Sequence, residues 1–259
     1  MTPELKTAIQ ITKYTNKLLQ KRFLRFKHQE MNLKKHAEIV TATDLESNEY
    51  ITKTLLKKFP NYDIVSEEAP KIDNPDTKTW YVDPVDGTTN FAYGFTEYGT
   101  CVGLADKEKI LGGVIGLPNE KEIYWAEKDF GAWCGKNKLQ VSNQKNLEES
   151  LMLLCPGHSP KGKDKFNQYF NKLQDVRTHV RVLAAACVEL TAVASGRADV
   201  CILTDIHPWD VIAGIALVRE AGGKVTNFQG EDWKPYHETL IASNGFIHEE
   251  ILNLVGDIK

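Results

Sequence analysis

The segment Asp83-Pro84-Val85-Asp86-Gly87-Thr88-Thr89-Asn90-Phe91 places two carboxylates three positions apart, directly after the apolar run Trp80-Tyr81-Val82. A strand ending here presents both acids on a stiff turn, because Pro84 fixes its own φ and Gly87 lets the backbone approach a ligand closely. Two such carboxylates can reach a hard cation. The amides of Gly87 and Thr88 can point at a phosphate if a helix starts there. The same residues also suit an ordinary polar turn. Three further segments carry acids at element ends: Glu67-Glu68 after Val65-Ser66, Asp44 closing Val40-Thr41-Ala42-Thr43-Asp44, and Asp210 in Pro208-Trp209-Asp210. Singly, these read as a solvated loop, a helix cap and a charge that favours a helix dipole. Together the four make an oxygen-ligand cage. Carboxylates without His or Cys partners suit Mg²⁺, which keeps several waters and takes substrate phosphates as its other ligands.

Other chemistries lack their signatures. The seven histidines show no HxH or HExxH spacing, so zinc has little support. No GxxxxGK[ST] segment is present for a P-loop and no GxSxG elbow for a serine hydrolase. Gly112-Gly113-Val114-Ile115-Gly116 is a poor dinucleotide loop and reads instead as a strand bulge.

The elements that must position the acids follow from periodicity. Residues 3–27 read as an amphipathic helix, with Leu5, Ile9, Leu19, Phe23 and Phe26 at helical spacings. Lys27 to Glu38 reads as an exposed loop or loose hairpin. Thr43 with Glu46 fits a capping box, and Leu45, Asn48, Ile51, Leu55 and Phe59 carry a second helix to Pro60. Short β-like runs at 63–66, 79–82, 100–105, 111–117, 123–126 and 132–134 suggest a largely antiparallel sheet behind the two helices. After a soft boundary near residue 146 the rhythm changes. Strands are expected at 151–155, 179–183, 200–203, 224–226 and 239–242. Helices are expected at 163–174, 184–195, 209–221 and from Phe246, with Gly196 stopping the second of these. No repeat or linker divides the chain, which reads as one domain over 1–259.

Composition narrows the class. A chain of 259 residues with 32 basic and 35 acidic side chains, net charge -3, can bury a sizeable core and lacks the basic excess of a nucleic-acid binder. No apolar run approaches the ~18 residues of a membrane span. The N-terminal stretch carries charge throughout, unlike a signal peptide. Five scattered cysteines without a CxxC suggest reduced thiols, and a cytoplasmic location is expected.

Glu67-Glu68, the Asp83–Phe91 segment, and Trp209-Asp210 continued by Val211-Ile212-Ala213-Gly214 and Glu220-Ala221-Gly222-Gly223 resemble the inositol monophosphatase family. Order and spacing agree over essentially the whole chain, and a DPxDGTxN segment together with WDxxAG is highly specific. The resemblance implies an α/β fold, the layered α/β/α/β/α sandwich of the inositol monophosphatase and fructose-1,6-bisphosphatase type. It also implies a homodimer, and Mg²⁺-dependent hydrolysis of a small phosphate monoester. It makes Glu67, Asp83, Asp86 and Asp210 metal ligands through their carboxylates and Val85 through its carbonyl. Thr88 and Asp44 match a pair that orients and deprotonates the attacking water, and Glu68 matches a nearby acid. Substrate contacts fall to Asp86, Gly87, Thr88, Ala185, Ala186, Leu203 and Asp210.

The departures concern the alcohol. Family members acting on inositol phosphate carry an acid seven positions before the WD aspartate, where this chain has Leu203. The segment that usually reads Gly, then Ser or Thr, then two Ala is here Ala184-Ala185-Ala186-Cys187. A sugar or polyol phosphate is therefore expected ahead of inositol phosphate. Fructose 1,6-bisphosphate, histidinol phosphate and 3′-phosphoadenosine 5′-phosphate remain alternatives. A non-catalytic role in a transcription complex is the reading from another class.

Overall fold

A helix and an antiparallel strand pair open the chain. The computed structural model describes residues 1–23, 31–33, 39–72, 78–174, 176 and 178–258. Helix α1 (Pro3–Phe23) buries Leu5, Ala8, Ile11 and Leu19 along one face. The expected continuation to residue 27, with Phe26, lies outside the described residues, as does most of the Lys27–Glu38 stretch. Within that stretch β1 (Met31–Leu33) pairs antiparallel with β2 (Ile39–Thr41), a hairpin.

Helix α2 (Ala42–Lys58) is capped two residues earlier than its sequence suggests. Thr41 ends β2 in extended backbone, its hydroxyl accepts from the Thr43 and Asp44 amides, and the Asp44 carboxylate reaches back to the Thr41 N–H. The capping box is therefore Thr41–Asp44 rather than Thr43–Glu46, because the cap must be the last extended residue. Glu46 instead turns outward to Arg22 at 2.5 Å. Leu45, expected in the helix core, is also exposed; Asn48, Ile51 and Leu55 face inward.

The first sheet has eight strands: β3 (Asp63–Ser66), β4 (Ala69–Ile72), β5 (Lys78–Asp86), β6 (Gly99–Asp106), β7 (Lys109–Leu117), β8 (Glu122–Glu127), β9 (Gly131–Cys134) and β10 (Asn137–Lys138). Their order is β10-β9-β8-β7-β6-β5-β3-β4, antiparallel except for the parallel β3–β5 pair. β4 and β10 were not legible as strands. Helix α3 (Thr88–Tyr93) follows β5 directly.

The second sheet runs β12-β11-β13-β15-β14, built from β11 (Leu151–Cys155), β12 (His179–Arg181), β13 (Val200–Thr204), β14 (Lys224–Thr226) and β15 (Thr239–Ser243). Its helices are α4 (Pro160–Leu173), α5 (Ala186–Ala194), α6 (Pro208–Glu220) and α7 (His248–Val255). Helix α4 begins earlier than expected because Ser159 caps it ahead of Pro160. Helix α5 begins later than expected, since Ala184 sits at φ 54 and Ala185 is extended.

The layers follow from what each helix touches. α1 and α2 cover the outer face of the first sheet, α5 and α6 lie between the sheets, and α4 and α7 cover the second sheet outside. This is an α/β/α/β/α sandwich. Because β6 is covered on both faces, seven consecutive residues from Gly99 are buried, and the strand reads as a continuous apolar run. The bulge expected at Gly112–Gly116 is present at its first glycine, where the register shifts between the Leu104–Gly112 and Ala105–Ile110 pairs. Gly113 and Gly116 lie in regular register and are small because helices press on the strand there. A side chain at Gly113 would collide with Ala213 of α6, and one at Gly116 with Asn16 and Thr12 of α1. No helix among the described residues is long and apolar enough to cross a membrane.

Candidate active site

The acids converge where β5 leaves the first sheet. β5 pairs with β6 through Asp83 opposite Cys101, then shifts register before Asp86 meets Gly99. This irregularity re-aims the strand end, as bulges do. Within it the Asp83 carboxylate accepts the Val85 N–H at 2.9 Å, while the Pro84 carbonyl accepts from the Thr100 and Ser47 hydroxyls. Gly87 then caps α3 at φ 80, and a Cβ there would stand 2.6 Å from the Glu97 carbonyl. Only glycine fits both the conformation and the space. With α3 starting at Thr88, its first-turn amides lack helical partners and face the acid-bearing turn's end.

Thr88 and Asp44 are brought together as the resemblance implies. The Thr88 hydroxyl lies 3.0 Å from Asp44 Oδ1 and 2.7 Å from the Val85 carbonyl, both acceptors. Asp44 is fully buried, and burial pushes its carboxyl up to about 6 even though Thr41 and Thr88 donate to it. Thr41 was missed by sequence reasoning as part of the site; its position one residue before a helix start was the available signal.

Glu67 and Glu68 occupy the turn between β3 and β4, with the Glu67 N–H donating to the Val82 carbonyl at 3.2 Å. Burial, and then the neighbouring charges of Glu67, Asp86 and Asp210, hold the Asp83 carboxyl well above the usual carboxylate range. Four acids separated in sequence thus press on one another. Glu68 stands close enough to Asp44 to raise it further. Asp210 lies in the first turn of α6, its Oδ2 accepting the His207 N–H at 2.7 Å.

Asp86 has a partner that sequence reasoning did not foresee. Its Oδ2 accepts the Cys187 N–H from the first turn of α5. A run of small residues leading into a helix was the only signal. Ala186 lines the cleft beside Ala184, whereas the Ala185 side chain stays buried and would lie 3.0 Å from a Cβ at Gly87. Asn90 ties the two segments by donating to the Glu97 and Leu183 carbonyls, each at 2.8 Å.

The cleft itself is about 440 Å³ and takes in Glu67, Asp83, Val85, Asp86, Gly87, Thr88 and Asp210. Its far wall carries His158, Lys163, Asp205, His207 and Trp209, none of them singled out as contacts, and Leu203, which was, joins them in lining it. Leu203 is wholly buried at the floor. Asp205, two residues on, is in the left-handed region at φ 59, and its Oδ2 accepts the Ser159 N–H at 2.7 Å. Burial opposes its charge, but Ser159 and the nearby His207 and His158 hold it below the usual range. That carboxylate is already committed to the start of α4.

The donor set fits a hard divalent cation: one buried and three half-buried carboxylates in mutual repulsion, with a backbone carbonyl among them. One departure stands beside it. Cys101 and Cys187 place sulfur next to Asp86, so the acids are not without cysteine neighbours.

The chain matches the sequence profile of the inositol monophosphatase family over residues 1–259. It is 31% identical over 221 residues to the fructose-1,6-bisphosphatase/inositol-1-monophosphatase of Thermotoga maritima, covering 85% of this chain and 84% of that protein. It is 33% identical over 223 residues to the inositol-1-monophosphatase of Caulobacter vibrioides, covering 83% and 86%. Among solved structures, the extragenic suppressor protein SuhB from Bartonella henselae superposes with a TM-score of 0.92 at 27% identity, over 99% of each chain.

Proposed function

The chain belongs to the inositol monophosphatase family of metal-dependent phosphoric monoester hydrolases, and on that premise we propose that it hydrolyses a small sugar or polyol phosphate with Mg²⁺ as its cofactor. The observation that carries this reading is the convergence of Glu67, Asp83, Asp86 and Asp210 on the cleft that also takes in Thr88, itself bonded to Asp44. Glu67, Asp83, Asp86, Asp210 and the Val85 carbonyl would hold Mg²⁺, which when bound lowers the pKa of water and offsets charge on phosphate and leaving oxygen.

The rest falls to the chain's own groups. The Gly87 and Thr88 amides hold phosphate oxygens at the start of α3. Thr88 orients a water in line with phosphorus and takes its proton, passing its own to Asp44. Asp44 is suited to this because burial leaves it a stronger base than an exposed carboxylate. A bond forms between the water oxygen and phosphorus, the ester P–O bond breaks, the alcohol oxygen leaves with a proton from solvent water, and Asp44 later returns its proton to solvent. Glu68 adds negative charge beside Asp44. No protein nucleophile is needed, since phosphoryl transfer is chiefly positioning and charge stabilisation.

Leu203 at the cleft floor offers no acceptor to a ring hydroxyl, which disfavours inositol 1-phosphate. His158 and Lys163 in the far wall favour a second reading, a bisphosphate whose other anionic group they would meet. Ala184 and Ala186 bound the same cleft. The enzyme works in the cytoplasm as a homodimer with an isologous interface. Light scattering should show roughly twice the 29.2 kDa chain mass. Phosphate release from a panel of sugar, polyol, nucleotide and inositol phosphates, with Mg²⁺ and then with EDTA, tests the activity. Absence of Mg²⁺-dependent release from every compound would overturn it.

A further inference from the structure

Asp86 faces two sulfur atoms that the proposed chemistry does not use. The register shift between Asp83 and Asp86 sets the Asp86 carboxylate near Cys101, which pairs with Asp83 on the neighbouring strand. Cys187 arrives from the opposite side, on the first turn of α5, already joined to Asp86 through its N–H. Space for its sulfur comes from Gly99, where a Cβ would stand 3.0 Å from Cys187 Sγ. A carboxylate oxygen of Asp86 and the sulfurs of Cys101 and Cys187 consequently lie within 4.8 Å of one another. Both thiols are wholly buried, while Asp86 is half-buried and opens onto the cleft. Cys101 Sγ is also directed at the backbone carbonyl of Asp210, 3.9 Å away, so this sulfur lies against the start of the helix that carries that acid.

We propose that Asp86, Cys101 and Cys187 form a site for a thiophilic divalent ion such as Zn²⁺ or Cd²⁺, and that its occupancy inhibits the enzyme by withdrawing Asp86 from the acid cluster. Two sulfurs and one carboxylate are the donors of a soft or borderline ion, whereas Mg²⁺ takes oxygen. Three protein ligands leave a fourth position toward the cleft, through which the ion enters past Asp86. Binding forms two metal–sulfur bonds and one metal–oxygen bond and releases the two thiol protons to solvent, with no change of oxidation state. The surrounding carboxylates of Asp83 and Asp210 favour any divalent cation electrostatically. The inhibitory half rests on the phosphatase reading above; the binding half does not.

The full chain is titrated with Cd²⁺ in saturating Mg²⁺ while the ultraviolet thiolate-to-metal charge-transfer band is followed. The expected band saturates at one Cd²⁺ per chain, disappears in both Cys101→Ser and Cys187→Ala, and persists in Cys134→Ser. The Cys187→Ala change matches its neighbour Ala186 on the same helix and guards against a fold defect in the other variant. In parallel, Zn²⁺ should inhibit phosphate release from the wild type at a concentration roughly tenfold or more below that needed for Cys101→Ser, which keeps its Mg²⁺-supported turnover. No band in the wild type, or a band unchanged in both variants, overturns the site. A normal band with equal Zn²⁺ inhibition of wild type and Cys101→Ser overturns the inhibitory role alone. Loss of phosphatase activity in every preparation would count against the proposed function and leave the band to decide the site.

Discussion

The Thr88 hydroxyl meets Asp44 Oδ1 at 3.0 Å across a sequence separation of 44 residues, joining the first turn of α3 to the first turn of α2. Asp44 is held on its other oxygen by Thr41, whose N–H donates at 2.9 Å and whose hydroxyl donates as well. The carboxylate therefore has one orientation, and the threonine oxygen inherits it.

Thr88→Ala is expected to lower kcat by about 10²-fold or more while KM changes little, because the hydroxyl acts on the attacking water rather than on bound substrate. Thr88→Ser keeps the oxygen and should retain a substantial part of the activity. Steady-state kinetics on the best substrate check this. Equal activity in the two variants would remove the hydroxyl from the chemistry and turn attention to Glu67 or Glu68.

Asp83→Asn and Asp86→Asn should each reduce turnover by at least about 10²-fold, yet leave the metal-free protein as stable as before or slightly more so. Burial and the charges of Glu67, Asp86 and Asp210 work against an ionised Asp83, and an amide relieves part of that repulsion. Mg²⁺ should raise the wild-type Tm, since it binds only the folded cage, and raise it less in either variant. Thermal melts with EDTA and with Mg²⁺ measure both effects. Full Mg²⁺-dependent activity in Asp86→Asn refutes the cage.

Leu203→Glu should raise activity on inositol 1-phosphate. A ring hydroxyl buried against leucine without a partner costs roughly 1–3 kcal/mol, about ten- to a hundredfold in kcat/KM. Asp205 cannot readily substitute, because its carboxylate is engaged by Ser159 at 2.7 Å. If the wild type turns over inositol 1-phosphate as well as any other compound, the floor of the cleft does not read the alcohol in this way.

His248 should make stability fall in mild acid. Burial and the nearby Lys224 lower its imidazole from 6.5 to about 4, and its two nitrogens face the Thr226 and Ser243 hydroxyls at 2.9 and 2.8 Å. Between those pH values the unfolded chain binds a proton that the folded one does not. The stability is therefore intact above pH 6.5 and lost as pH falls toward 4, by about 2 kcal/mol at pH 5. Urea unfolding at pH 7 and pH 5 should show the wild type losing about that much more than His248→Gln between the two conditions. Equal losses in the two proteins would place the acid sensitivity elsewhere.

The family and, through the resemblance, the layered fold were open to reading from sequence, as were the acids that meet at the cleft, because each of these acids sits in a motif whose residue types and spacing are set locally. The left-handed backbone that ends β5 demands Gly87, and a WD pair opens an apolar helix at Asp210. Helix edges were less legible. The capping box at Thr41–Asp44 depends on where β2 stops being extended, and the strand β4 carries Pro70 and Lys71, which do not advertise a sheet edge.

What only the tertiary structure decided is who stands beside whom. A bulge does fall at Gly112, but the smallness of Gly113 and Gly116 answers to Ala213, Asn16 and Thr12, residues about a hundred positions away that no local pattern contains. The bond from the Cys187 amide to Asp86 spans 101 residues, and the approach of the Cys101 and Cys187 sulfurs to that carboxylate depends on a register shift between two strands and on the entry angle of α5. Clustered carboxylates point to a hard cation by their type. Thiols that read as scattered in the chain become ligands only when packing removes the space between them.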